Sequence, residues 1–183
     1  MSGSKEEQLW EASTEGNLEL VTLLANDPAV DVNWGDPVYN RTAFYRACGH
    51  GRVAVVEFLL RHPRIDVNKP MIEGATPFKI ACQCDRKEVV SLLLADPRID
   101  FNKPNSKGYT AFTNACMQGR QNMVSQLLAD MRIDINKPEN NQCTPLWFVS
   151  CYGHLPVARL ILVSGREVDT KTSPFLTLPL GAT

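Results

Sequence analysis

The sequence has little excess of either charge and no long apolar run. Its 183 residues carry 19 Lys and Arg against 20 Asp and Glu, a formal net charge of −1. That balance leaves no basic footprint for nucleic acid or for an anionic membrane. No apolar run approaches the roughly 18 residues that a membrane-spanning helix needs. The first residues, Met1-Ser2-Gly3-Ser4-Lys5-Glu6-Glu7, lack the apolar stretch of a secretory signal, so the cytosol or nucleus is the expected compartment. Histidine is scarce, with only His50, His62 and His154. The six cysteines are then expected to be reduced thiols rather than a disulfide framework. What remains is ordinary: 44% hydrophobic and 21% charged residues, enough to bury a core along most of the length.

The arrangement is less ordinary than the composition. Asp31-Val32-Asn33, Asp66-Val67-Asn68, Asp100-Phe101-Asn102 and Asp134-Ile135-Asn136 recur at spacings of 35, 34 and 34. Thr42, Thr76, Thr110 and Thr144 are spaced by 34 each time. Lys-Pro follows the Asn at Lys69-Pro70, Lys103-Pro104 and Lys137-Pro138. Three marks held in one register define an internal repeat.

One unit shows what each copy encodes. Thr76 is a good helix N-cap, and Pro77 suits the first helical position, where its missing N–H would be unpaired anyway. Phe78, Ile80, Ala81 and Cys82 give a short helix with an apolar face. A turn follows at Asp85-Arg86, matching Gly51-Arg52, Gly119-Arg120 and Gly153-His154. Glycine there ends a helix in the left-handed conformation at little cost. Val89, Val90, Leu92, Leu93 and Leu94 predict a second helix, apolar nearly all round. Asp96-Pro97 stops it; an extended stretch over 98–102 and a turn over 103–108 complete the unit. Neither helix is long enough to persist alone, so each unit must bury its apolar face on its neighbours.

At this point the sequence resembles the ankyrin-repeat family. The resemblance rests on Thr76-Pro77-Phe78-Lys79-Ile80-Ala81 and Thr144-Pro145-Leu146-Trp147, with the Gly-Arg/His turns, the valine–leucine second helix and Asp-x-Asn in register. It covers roughly residues 5–170 and implies an all-α solenoid of helix-turn-helix units joined by β-hairpin-like turns. The expected units are about 4–37, 38–71, 72–105, 106–139 and 140–170, together one repeat domain over 1–170. This chain departs from the family where Tyr45, Lys79, Thr113 and Trp147 fill the column of the family's histidine, so bonding between repeats must differ. Pro28, Pro63 and Pro97 stand where the family has a cap glycine, and Val149 replaces the small Ala47, Ala81 and Ala115. At the N-terminus, Ser4-Lys5-Glu6-Glu7 reads as a capping box. Residues 171–183 have no helical period and are expected to form an extended or disordered tail.

Residues suited to chemistry are thinly spread. The three histidines fall in different columns, and no nucleophile elbow or orienting carboxylate accompanies any Cys–His pair. Cys82-x-Cys84 has no partner pair at a zinc spacing. Cys48, Cys82 and Cys116 share one column with Ser13 and Ser150, which reads as a site for a small packed side chain. No glycine-rich phosphate loop is present. No catalytic residue, metal or cofactor is expected.

The resemblance implies a binding surface on the hairpin tips and the exposed side of each first helix. Carried onto this chain, those columns hold Tyr39, Arg41, Tyr45, Lys79, Lys107, Tyr109, Met117, Trp147 and Tyr152. Trp34 lies in the first hairpin, which is one residue longer, either as a fingertip contact or as a brace for that loop. All four tyrosines fall in these columns, and aromatic residues and Arg are enriched in interface hot spots. The expected function is a monomeric, non-catalytic module that binds a protein or peptide. The alternative is a structural piece or spacer of a longer array, and a Cys/His enzyme ranks last.

Overall fold

The computed structural model describes residues 3–170; the tail expected over 171–183 lies outside them. Among the described residues ten helices follow one another: α1 (Lys5–Glu15), α2 (Leu18–Ala25), α3 (Ala43–His50), α4 (Val53–Arg61), α5 (Pro77–Gln83), α6 (Lys87–Ala95), α7 (Ala111–Met117), α8 (Gln121–Leu128), α9 (Pro145–Cys151) and α10 (Leu155–Leu162). They form five helix pairs, one for each expected repeat. Among the described residues the only β pairing is a single bridge, Gly35 with Thr42. The hairpin-like turns are therefore turns, not strands.

The chain divides into two compact units, Met1–Ser106 and Lys107–Thr183. In the first, α1 packs on α3 and α3 on α5, while α2 packs on α4 and α4 on α6. In the second, α7 packs on α9 and α8 on α10. First helices thus meet first helices, and second helices meet second helices. The core repeats accordingly, with Phe44, Val56 and Leu59 then Phe78, Val90 and Leu93 buried in the first unit. Phe112, Met123 and Val157 are buried in the second. Val149 is fully buried despite its extra bulk over alanine.

The punctuation read from the sequence has the expected geometry. Thr42, Thr76, Thr110 and Thr144 each accept the backbone N–H three residues on, at 3.0, 3.2, 3.1 and 3.3 Å. Ser4 and Glu7 form the reciprocal capping box of α1. After the second helices, the carboxylates of Asp27, Asp96 and Asp130 accept the N–H two residues on. His62 occupies the same column, and its Nδ1 accepts from the Arg64 N–H at 3.3 Å. That role explains a histidine just before a proline.

Two side-chain systems hydrogen-bond neighbouring repeats to one another. The Asn33 amide donates to the Arg64 carbonyl at 2.6 Å and accepts from the Asp66 N–H at 2.7 Å. Asn68 does the same with Arg98 and Asp100, at 2.7 and 2.8 Å. In the second unit Asn136 bridges to Glu167 and Asp169, at 2.9 Å each. Each asparagine therefore satisfies a backbone donor and acceptor of the following repeat.

Arginines point the other way along the chain. Arg64 donates to the carbonyls of Ala25, Asp27 and Val30, covering the C-terminal end of α2. Arg98 reaches the Leu60 carbonyl in α4, and Arg166 reaches those of Asp130 and Ile133. The turn glycines make room for a second set of reaching side chains. Gly51 has φ +71°, and a Cβ there would lie 2.9 Å from the Arg86 side chain. Gly119 stands in the same relation to His154, at 2.6 Å. Freedom at φ > 0 and close approach both require glycine at these turns.

Candidate functional site

In the first unit, the hairpin before α3, one side of α3, Met71 and the middle and C-terminal end of α5 border an open cavity of about 330 Å³. Asp36 fixes the hairpin: its carboxylate accepts from the N–H groups of Val38, Tyr39 and Arg41 and from Arg41 Nε. Burial opposes ionisation of this carboxyl, but the hydrogen bonds from Arg41 and from the Tyr39 and Arg41 backbone outweigh it and lower its pKa. Arg41 then lies over the Tyr39 ring, 4.4 Å from its centroid.

Tyr45 forms the apolar floor. Its ring is buried, its hydroxyl donates to Met71 Sδ at 3.1 Å, and burial raises its pKa to about 12. Ile80 closes the far side, and Gly49 keeps the space open: a Cβ at Gly49 would lie 3.1 Å from Ile80 Cγ1.

The rim is cationic. Arg46 lies over the Trp10 ring at 4.4 Å and uses Nε on Thr14 Oγ1 at 3.1 Å. Arg86 uses Nε on the Gly49 carbonyl at 3.0 Å. His50 also lines the cavity, and its pKa is lowered by burial and by the charges of Arg46, Arg52 and Arg86.

In the second unit the corresponding columns form an aromatic cluster instead. Phe148 is buried, with Tyr109 edge-on at 5.7 Å, Trp147 edge-on at 5.0 Å and Tyr152 stacked at 6.3 Å. Such pairs contribute packing energy beyond their area. Tyr152 is 56% exposed, so the cluster has one open side.

The ten expected contact residues thus separate. Tyr39, Arg41 and Tyr45 line the cavity, while Tyr109, Trp147 and Tyr152 gather on Phe148. Tyr45 and Lys79 were expected on an exposed surface, but both are buried, Lys79 at 2% exposure. Thr113 of the same column is buried as well, and burial lowers the Lys79 pKa to about 8. Trp34 is half-buried in its loop, Met117 is half-buried and Lys107 is exposed. The Met117 carbonyl is bonded by His154 Nε2 at 2.9 Å, and the Lys107 carbonyl accepts from the Asn140 N–H.

Sequence reasoning missed Arg46, Ile80 and Phe148. They fall in a single 34-residue column with Asn114, next to the family-histidine column. The signal was present: within a strict repeat, that column changes chemistry at every copy. Arg86 was read only as part of a turn.

The six cysteines are all free; Cys48, Cys82 and Cys116 are buried in one column. Burial raises the pKa of each, the opposite of an activated thiol. Among the described residues no group of three or more His, Cys, Asp and Glu side chains could hold a metal ion. No described helix is long and apolar enough to cross a membrane.

Paired short helices, repeated in register and joined by capped turns, define a stacked helical-repeat protein. The chain belongs to the ankyrin-repeat family: a family model of ankyrin repeats (3 copies) matches residues 9–105 and 95–172. No curated protein matches it significantly. Ankyrin repeats are generally protein–protein interaction modules and typically non-catalytic.

Proposed function

We propose that this chain is a non-catalytic, monomeric binding module of the cytosol or nucleus. It would hold a protein or peptide on the surface made by hairpin tips and first helices. The observation that carries the reading is the cavity framed by Tyr39, Arg41 and Tyr45 in the first unit. Pockets of this size usually begin near 300 Å³ and combine apolar walls with a few oriented polar groups. Tyrosine and arginine are also the residues that concentrate binding energy in interfaces. The exposed Tyr152 edge of the Phe148 cluster is a second contact on the same reading.

A pull-down from the native cell compares wild type with Tyr39→Ala and Tyr152→Ala. Both side chains are substantially exposed, so the fold is expected to survive. Loss of specific partners supports the surface; an identical set of bound proteins on correctly folded variants rejects it.

A second reading has one observation behind it. Leu155, Leu162 and Val163, on or just after α10, are 76%, 57% and 71% exposed. A structural role within a longer array would cover them. Single-molecule mass measurement of the native gene product tests this: a product ending at Thr183 rejects it.

A further inference from the structure

The cavity of the first unit has a chemical sign. Of its lining residues Arg41, Arg46 and Arg86 are cationic and none is acidic. Arg41 is already matched by Asp36 at 3.1 Å. Arg46 and Arg86 have no carboxylate partner among the described residues. Arg46 is held by Nε on Thr14 and by its face over Trp10, and Arg86 by Nε on the Gly49 carbonyl; in both, the terminal amino groups make no hydrogen bond within the protein. Burial and then the charge of Arg41 lower the Arg46 pKa, while Asp36 acts the other way. Two further acids stand near this site, Asp85 between the lining residues Cys84 and Arg86, and Glu73, whose charge is felt at Tyr45.

An anchored guanidinium with free terminal N–H groups is built for bidentate carboxylate recognition. The space beneath the arginines is apolar, walled by Tyr45, Met71 and Ile80. Gly49 is what keeps it open. Its repeat counterparts are Gln83, Met117 and Cys151, so the opening is particular to this copy rather than a property of the repeat.

We propose that this groove binds an acidic peptide segment of a partner protein, with Asp or Glu carboxylates on Arg46 and Arg86 and an adjacent large apolar side chain in the space over Gly49. The inference rests on the binding-module reading and gives its partner a chemistry. Nucleic acid fits less well. The chain as a whole is slightly acidic, and the cationic rim surrounds a small apolar cavity rather than a stripe that could track a phosphate backbone.

The test is selection of random twelve-residue peptides, displayed on phage, against the full chain. The expected result is enrichment of peptides with Asp or Glu next to Leu, Met or Phe. Their affinity should fall about tenfold or more on Arg46→Gln or Arg86→Gln, as for loss of one partner of a charge-assisted pair. It should also weaken as salt is raised. Both arginines bond to neighbouring groups, so Gly49→Leu supplies an independent variant. It fills the cavity, removes no charge and replaces a helical glycine with a better helix former. It should abolish binding of the apolar part; a far-ultraviolet circular-dichroism spectrum like that of wild type checks that the variant is folded, since its side chain meets Ile80.

Enriched peptides without acidic residues overturn this inference but leave the binding-module reading standing. Acidic peptides that bind all three variants normally place the site elsewhere and also overturn it. No enrichment of any peptide counts against both. If a short single-stranded oligonucleotide displaces the selected peptide at lower concentration than the peptide itself, the proposed partner class is wrong.

Discussion

The two compact units use one repeat plan and put different chemistry on it. In the first unit the column after the family-histidine position holds Arg46 and Ile80, which border an open cavity. In the second unit the same column holds Asn114 and Phe148, and three aromatic rings pack around Phe148. What is rim and void in one unit is filled core in the other. The scaffold is therefore indifferent to what this column carries, while the Thr caps and the Asn bridges recur in both. A position fixed by backbone geometry repeats, and a position at the half-buried margin of the first helix varies from copy to copy.

The sharpest way to break that contrast is to truncate the column in each unit. Phe148→Ala removes a buried ring with three aromatic neighbours and should cost about 3 kcal/mol or more. Arg46→Ala removes a partly exposed side chain held by one hydroxyl and one ring face, and should cost about 1 kcal/mol or less. Urea unfolding followed by circular dichroism measures both. Equal costs would mean that the column is structural in both units.

Much of this plan was legible beforehand. The helix pairs, the Thr caps, the capping box and the turn glycines follow from local rules that act within a few residues, so their marks repeat at 34. The buried Cys48, Cys82 and Cys116 were readable as packing for the same reason. The bridging role of Asn33, Asn68 and Asn136 was not, although Asp-x-Asn marked the register. Its partners lie 30 to 33 residues away, and nothing local says which carbonyl an amide will find. The arginines at 64, 98, 132 and 166 were overlooked although they too recur at 34. The cavity was least legible, since it depends on one missing side chain at Gly49 meeting Ile80 from the next repeat.

The asparagine bridges should behave alike in both units. Asn68→Ala and Asn136→Ala each leave one N–H and one carbonyl without a partner. Water can reach these groups, so the expected cost is about 1–2 kcal/mol in each case. The same urea titrations measure it. A silent variant in either unit would show that the bridge is not a common element of the plan.

The family-histidine column offers a gentler contrast, because its buried lysine occurs only in the first unit. Lys79 has a folded pKa near 8 against an ordinary 10.5, with burial as the cause. Between those values the unfolded chain binds more protons than the folded one, so this residue makes stability rise with pH across that window. Below pH 8 both forms are protonated, and the cost of burying the charge is present in full. Lys79→Met should therefore be more stable than wild type at pH 7, with the gap narrowing from pH 8 to 10. Comparing melts of the two proteins cancels the thiol and tyrosine titrations that both share. A gap that stays constant with pH would mean that Lys79 keeps its ordinary affinity for protons.

The smallest effect separates the two serines of the cysteine column. In the first unit Ser13 is fully buried, and among the described residues its Oγ is the one buried side-chain polar atom without a hydrogen-bond partner. In the second unit Ser150 is exposed and its hydroxyl donates to the Leu146 carbonyl at 3.0 Å. An unsatisfied buried hydroxyl carries its desolvation cost with nothing to offset it. Ser13→Ala should therefore raise stability by up to about 1 kcal/mol, after the small loss of packing is subtracted. Ser13→Cys should do at least as well, because Cys48 and Cys82 already fill the same column in this unit. Ser150→Ala, made where water can replace the lost bond, should stay within about 0.5 kcal/mol of wild type. If Ser13→Ala instead destabilises while Ser150→Ala is neutral, the Ser13 hydroxyl is satisfied in solution, by a water held between α1 and α3, and the column's preference for cysteine reflects volume alone.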